Sequence, residues 1–134
     1  MTTILLVEDE ELNRVLVRAV LARAGDPTVR AARLVEASTL AAAREQLSQA
    51  DVDVVLLDMN LPDGHGLSLA GELVREGRPV GTLRPSVIAL TASVLPHDKE
   101  AAALAGCDGF LDKPYAAAHL VAALSDHIAR RSAG

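Results

Sequence analysis

The sequence predicts an α/β fold, an open and doubly wound sheet of five parallel strands with helices on both faces. Short apolar runs alternate with helical-period segments from one end of the chain to the other. The clearest strand runs are continuously apolar rather than alternating, as in a parallel sheet covered on both sides. Five strand–helix units in 134 residues are too few for an eight-fold barrel and fit one compact domain.

Ile4-Leu5-Leu6-Val7 reads as the first buried strand. Leu12, Val15, Leu16, Ala19 and Val20 follow at spacings of three and four and mark one face of the first helix. Gly25 is its expected stop, and Asp26-Pro27 its turn. A weaker strand lies around Arg33 to Glu36. Leu40, Ala43 and Leu47 mark the second helix, with Ser38 or Thr39 available as cap. Val52-Asp53-Val54-Val55-Leu56-Leu57 is the most β-branched run. Gly64 and Gly66 punctuate the next loop, and Leu67, Ala70, Leu73 and Val74 give a third helix ending at Gly77. Val87-Ile88-Ala89-Leu90 is the fourth strand, and a fourth helix runs from about Pro96 to Ala105 and stops at Gly106. Gly109-Phe110-Leu111 is a short fifth strand. Leu120, Val121, Leu124 and Ile128 line the last helix, before a polar tail from Arg130 to Gly134. The stretches Asp26–Leu34 and Gly77–Pro85 are longer than such connections need. A single domain over residues 1–134 is expected, with its core over about residues 3–129.

Half of the chain is hydrophobic, but with one Phe, one Tyr and no Trp the core must be aliphatic. A net charge of −5 argues against nucleic acid or an anionic membrane as partner. Lone Cys107 forms no internal disulfide and reads as a small buried apolar residue in a reducing compartment. Met1 to Val7 lacks a basic start and runs into Glu8-Asp9-Glu10-Glu11, unlike a targeting segment. No apolar stretch approaches the ~20 residues of a membrane span. A soluble, cytoplasmic protein is expected.

In open parallel sheets, ligands bind at the carboxyl ends of the strands. Those ends carry Glu8 and Asp9 (first strand), Asp58 (third), Thr91 (fourth) and Lys113-Pro114 (fifth). Each has an ordinary explanation alone: a helix cap for Glu8 and Asp9, a turn former for Asp58, a strand-ending residue for Thr91, a solvated charge for Lys113. Lys113 is nevertheless one of only two Lys in a chain with 11 Arg, and a compact ammonium suits a phosphate oxygen. Three carboxylates together repel and call for a cation, and few carboxylates plus waters is the coordination Mg²⁺ favours. One carboxylate can then attack phosphorus, with Thr91 and Lys113 available to hold the phosphoryl oxygens.

Four segments in order resemble the receiver domains of bacterial response regulators, the CheY-like family. They are Ile4-Leu5-Leu6-Val7-Glu8-Asp9-Glu10, Leu57-Asp58-Met59-Asn60-Leu61-Pro62-Asp63-Gly64, Ala89-Leu90-Thr91-Ala92 and Lys113-Pro114-Tyr115. The resemblance implies a flavodoxin-like (βα)5 fold with strand order 2-1-3-4-5. It implies that Asp58 is the phosphoacceptor and that Asp9 binds Mg²⁺ directly, with Glu8 acting through water. Asn60 would add its backbone carbonyl to the metal site. Thr91 would be the switch hydroxyl with Ala92 leaving space beside it, Lys113 the phosphate-pairing lysine, and Lys113-Pro114 a cis bond. Phe110 would be the switch aromatic, remodelling the face of the fourth helix, fifth strand and fifth helix. Asn60 and Ser93 match positions that tune hydrolysis.

The implied activity is that of a phosphoacceptor switch rather than an enzyme. Its partners would be a sensor histidine kinase or a histidine phosphotransfer protein. The motif wording is closer to stand-alone and hybrid-kinase receivers than to DNA-binding regulators. A phosphohydrolase of the haloacid-dehalogenase type would need a second Asp where Asn60 stands. A flavin carrier would need a hydroxyl-rich phosphate loop where the chain has acids. A receiver signalling without phosphate remains the third alternative. His65, His97, His119 and His127 show no ligand spacing.

Overall fold

A computed structural model describes residues 2–75, 85–91, 100, 103 and 106–133. Its main sheet contains β1 (Thr3–Val7), β2 (Arg33–Ala37), β3 (Val54–Asp58), β6 (Ser86–Thr91) and β7 (Gly109–Asp112). The order is β2-β1-β3-β6-β7 with every neighbouring pair parallel, which is 2-1-3-4-5 when the five sheet strands alone are numbered. A small antiparallel hairpin, β4 (Asn60–Leu61) with β5 (Gly64–His65), stands apart from this sheet in the loop after β3.

Among the described residues the helices are α1 (Glu11–Ala22), α2 (Pro27–Ala31), α3 (Leu40–Gln49), α4 (Gly66–Arg75) and α5 (Ala117–Ala133). They divide between the two faces of the sheet. Ile4 and Leu6 join Val54, Leu56, Ile88 and Leu90 under α1 and α5. Leu5 and Val7 join Val55, Leu57, Val87 and Ala89 under α3 and α4. Successive strand residues point to opposite faces, so a strand covered on both must be apolar throughout. The central strands show this burial pattern: every residue of β1 and β3 is buried.

Several expectations are corrected. The Leu12–Val15–Leu16 face of α1 does not pack on the sheet; these residues are 68%, 43% and 54% exposed. Val17, Leu21 and Ala24 enter the core instead, while Arg14 and Arg18 reach Glu36 of β2 at 3.6 and 2.9 Å. Both faces satisfy a helical period, and packing chose the one that leaves the arginines beside a carboxylate. Helix α1 ends at Ala22, three residues before Gly25. Asp26-Pro27 opens α2 rather than a turn: Asp26 accepts from the Thr28 N–H at 2.8 Å, and Pro27 occupies a first-turn position where its missing N–H costs nothing. That short helix accounts for the extra length before β2. Strand β3 covers Val54–Asp58, two residues later than the apolar run begins. The Arg130–Gly134 tail is helical as far as Ala133.

Thr39, not Ser38, caps α3 through Oγ1. Gly106 has φ 114°, a conformation that favours glycine. The expected stop at Gly77, Ala92, Ser93, His97 and most of the helix from Pro96 to Ala105 lie outside the described residues.

Candidate functional site

Parallel pairing brings the carboxyl ends of β1, β3, β6 and β7 to one rim. Leu6 lies opposite Leu56 and Asp58 opposite Leu90, so the residues just past β1 and at the end of β3 converge. Glu8, Asp9 and Asp58 each offer a carboxylate oxygen, and these oxygens all lie within 4.8 Å of one another. This is the one such group among the described residues. Glu8 is buried, Asp58 is 7% exposed, and Asp9 is open to solvent.

Lys113, just past β7, crosses to this cluster. Its Nζ stands 2.9 Å from Glu8 Oε2 and 3.3 Å from Asp58 Oδ1. Its N–H donates to the Thr91 carbonyl at 2.7 Å, which locks the end of β7 to the end of β6. The Lys113-Pro114 bond is cis. Thr91 therefore sits on the same rim, one residue beyond the partner of Asp58. Asn60 donates its N–H to Asp58 Oδ1 at 3.3 Å. Phe110 pairs with Ala89 and is half-buried against the α3/α4 side of the core.

The electrostatics separate the two buried carboxyls. Burial would raise Glu8, but the Lys113 hydrogen bond and charge outweigh it and hold Glu8 below its ordinary value. Asp58 is raised, by burial first and by repulsion from Glu8, which Lys113 only partly offsets. Burial would lower Lys113, but its two carboxylate partners raise it. Three carboxylates against one ammonium leave a formal charge of −2 (−3 plus +1) on an all-oxygen donor set. That chemistry fits a hard divalent cation such as Mg²⁺.

Three supporting residues were not evident from sequence. Arg14 donates through Nη1 to the Glu8 carbonyl at 2.8 Å and so steadies the acidic turn. Gly66 passes so close to Asp58 that a Cβ there would lie 2.4 Å from the Asp58 main-chain oxygen. Asp63 Oδ1 and Oδ2 accept from the Leu40 and Ala41 N–H groups at 2.8 and 3.1 Å. Pro62-Asp63-Gly64 signals a turn in the sequence; nothing local signals a partner 23 residues upstream. Among the other expected bystanders, His65 is exposed and its Nδ1 accepts from the Leu67 N–H at 3.2 Å, while Cys107 and His127 are buried. No described helix is long and apolar enough to cross a membrane.

The family model for the response regulator receiver domain matches residues 4–125. The two-component response regulator ORR41 of Oryza sativa subsp. japonica is 39% identical over 116 residues, 85% of this chain and 84% of that protein. The aerobic respiration control sensor protein ArcB of Escherichia coli is 40% identical over 119 residues, 89% of this chain but 14% of that longer protein. Among solved structures, the receiver domain of sensor histidine kinase PA1611 from Pseudomonas aeruginosa PAO1 has magnesium coordinated in its active-site cleft. It matches with a TM-score of 0.78 at 30% identity, covering 96% of this chain and 98% of that one. The sheet order, the acidic rim and these matches agree: the chain belongs to the response regulator receiver domain family of two-component systems.

Proposed function

We propose that the chain is a phosphoacceptor switch, one domain over residues 1–134, that takes a phosphoryl group on Asp58 from a histidine kinase or phosphotransfer protein. The observation that carries this reading is the buried Asp58 carboxylate between Glu8 and the Lys113 ammonium, at the rim where parallel strands end.

Glu8, Asp9, Asp58 and the Asn60 carbonyl would hold Mg²⁺, with Asp9 as direct ligand and Glu8 acting through water. When bound, the ion supplies neutralisation of the charge that gathers on the phosphoryl oxygens. Asp58 attacks phosphorus as its carboxylate; a P–O bond forms, the P–N bond to the donor imidazole breaks, and the imidazole leaves. Lys113 exchanges its contact with Asp58 for a phosphoryl oxygen. Thr91 turns its hydroxyl to another, and Phe110 follows into the space released. The face formed by β7 and α5 thereby changes for a downstream protein. On this reading the chain catalyses its own phosphorylation and the loss of that phosphoryl group, as a phosphoacceptor switch rather than an enzyme. The reading assumes a cytoplasmic setting.

The donor would seat on α1. Leu12, Val15 and Leu16 are exposed on the helix that starts two residues after Asp9. A groove of about 480 Å³ lined by Leu16, Val20, Lys113, Tyr115 and Leu120 continues from them to the rim. A histidine-bearing helix laid on this surface would reach Asp58.

The test is intact mass after incubation with Mg²⁺ and a small acyl-phosphate donor, beside Asp58→Asn. The expected result is a gain of one phosphoryl group that requires Mg²⁺ and is absent from Asp58→Asn. Equal labelling of both proteins would overturn the assignment of Asp58. No labelling by either small donors or histidine kinases, together with no Mg²⁺ binding, would overturn the switch itself.

A further inference from the structure

We infer that Asp63 is a positioning residue for the phosphoacceptor site: by gripping the first turn of α3, it sets the hairpin that holds Asn60 beside Asp58. The inference rests on the proposed receiver function and adds a determinant of metal affinity outside the ligand set.

Three N–H groups in the first turn of α3, those of Leu40, Ala41 and Ala42, have no helical partner, and each has one elsewhere. The Ala42 N–H donates to Thr39 Oγ1 at 3.0 Å, while the Ala43 N–H already makes the first helical bond, to the Thr39 carbonyl at 3.0 Å. The Leu40 and Ala41 N–H groups donate to the two oxygens of Asp63, at 2.8 and 3.1 Å. One of the three caps is therefore local, and two come from the loop that follows the proposed nucleophile. A carboxylate there also meets the positive end of the helix dipole.

The other end of this clamp is the hairpin. Asn60 pairs with His65 and Leu61 with Gly64, in strands of two residues each. So short a ladder does not hold its own register in water. At its base, the Gly66 N–H donates to the Met59 carbonyl at 2.7 Å, and the Asn60 N–H reaches Asp58 Oδ1 at 3.3 Å. At its tip, Gly64 (φ 152°) lies against α3, where a Cβ would stand 3.0 Å from Leu40 Cδ1. Asp63 thus closes the tip onto a helix seated on the sheet. Without it, the tip loses its anchor, and the displacement runs through three residues to Asn60.

A cap that only stabilised α3 would behave like Thr39, which caps the same turn from the residue just before the helix. The experiment compares Asp63→Ala, Asp63→Asn and Thr39→Ala in the full chain. It reads the Mg²⁺ dissociation constant by equilibrium titration, amide hydrogen exchange over residues 60–66 in metal-free protein, and the unfolding midpoint. Asp63→Ala is expected to weaken Mg²⁺ binding about tenfold, as loss of a group that orients a ligand does, and to speed exchange in the hairpin. Asp63→Asn, which keeps one acceptor oxygen, is expected to recover part of both. Thr39→Ala is expected to lower the unfolding midpoint while leaving Mg²⁺ affinity and hairpin exchange as in the wild type. Wild-type Mg²⁺ affinity in Asp63→Ala, or an equal loss in Thr39→Ala, would overturn the inference alone. A wild-type chain that binds no Mg²⁺ would overturn the receiver reading and this inference with it. Should Asp63→Ala fail to fold, Asp63→Asn carries the same comparison.

Discussion

Glu8 and Asp58 are both buried and both touch Lys113, yet they are pushed in opposite directions. Lys113 lies closer to Glu8 and forms its hydrogen bond there, so Glu8 keeps its charge while Asp58 faces burial and repulsion with partial relief. Asp58 is therefore the carboxylate whose charge gains most from a further cation. Asp63 shows the converse case: hydrogen bonds from the Leu40 and Ala41 N–H groups hold it below the ordinary carboxyl value. A lowered folded value contributes stability that is present above the unfolded value and lost as pH falls through the folded one. The stability gap between wild type and Asp63→Asn should be full above about pH 5 and shrink below about pH 4. Denaturant unfolding across that range checks this, and a gap independent of pH would contradict it.

Among the elements, α1 carries two apolar faces. Val17 and Leu21 fill the core, while Leu12, Val15 and Leu16 remain outside beside the rim. Since Leu16 is more than half exposed, Leu16→Asp should change stability by no more than about 0.5 kcal/mol. The same change should slow phosphoryl transfer from a protein donor by about tenfold or more, as loss of an interface anchor does, without altering labelling by a small acyl phosphate. Parallel rate measurements with the two donors check this. Equal slowing with both would place the fault in the site rather than in docking.

Across the whole molecule, Lys113 and Glu8 join the first strand's end to the last strand's end, 105 residues apart. Nothing local helps that pair form; it exists because β1, β3, β6 and β7 are already side by side. Replacing Lys113 with Met keeps the volume but leaves Glu8 and Asp58 without their cation, and breaking such a buried pair costs about 3 kcal/mol. Unfolding of Lys113→Met should show that loss in metal-free buffer and a smaller one with saturating Mg²⁺, because the ion, no longer competing with the ammonium for Glu8 and Asp58, binds the variant more tightly than the wild type. A loss unchanged by Mg²⁺ would mean that the ion does not take over the charge of the missing ammonium.

The strands were legible in the sequence because covering both faces of a parallel sheet forces continuous apolar runs; their order followed only from the family resemblance of the motif segments at their ends. Glu8, Asp9, Asp58, Thr91 and Lys113 could be named for the same reason, since each immediately follows or ends such a run. Helix α2 was missed because Asp-Pro reads equally as a turn or as a cap with a first-turn proline. The inward face of α1 was misread because Leu12, Val15 and Leu16 satisfy a helical period as well as Val17, Leu21 and Ala24 do. Only packing against the sheet and the reach of Arg14 and Arg18 to Glu36 separated the two. The Asp63 clamp and the Lys113–Glu8 pair required the tertiary structure outright. Local pattern identifies what a residue can do within a few positions, whereas partners 23 and 105 residues apart are selected by the packed sheet.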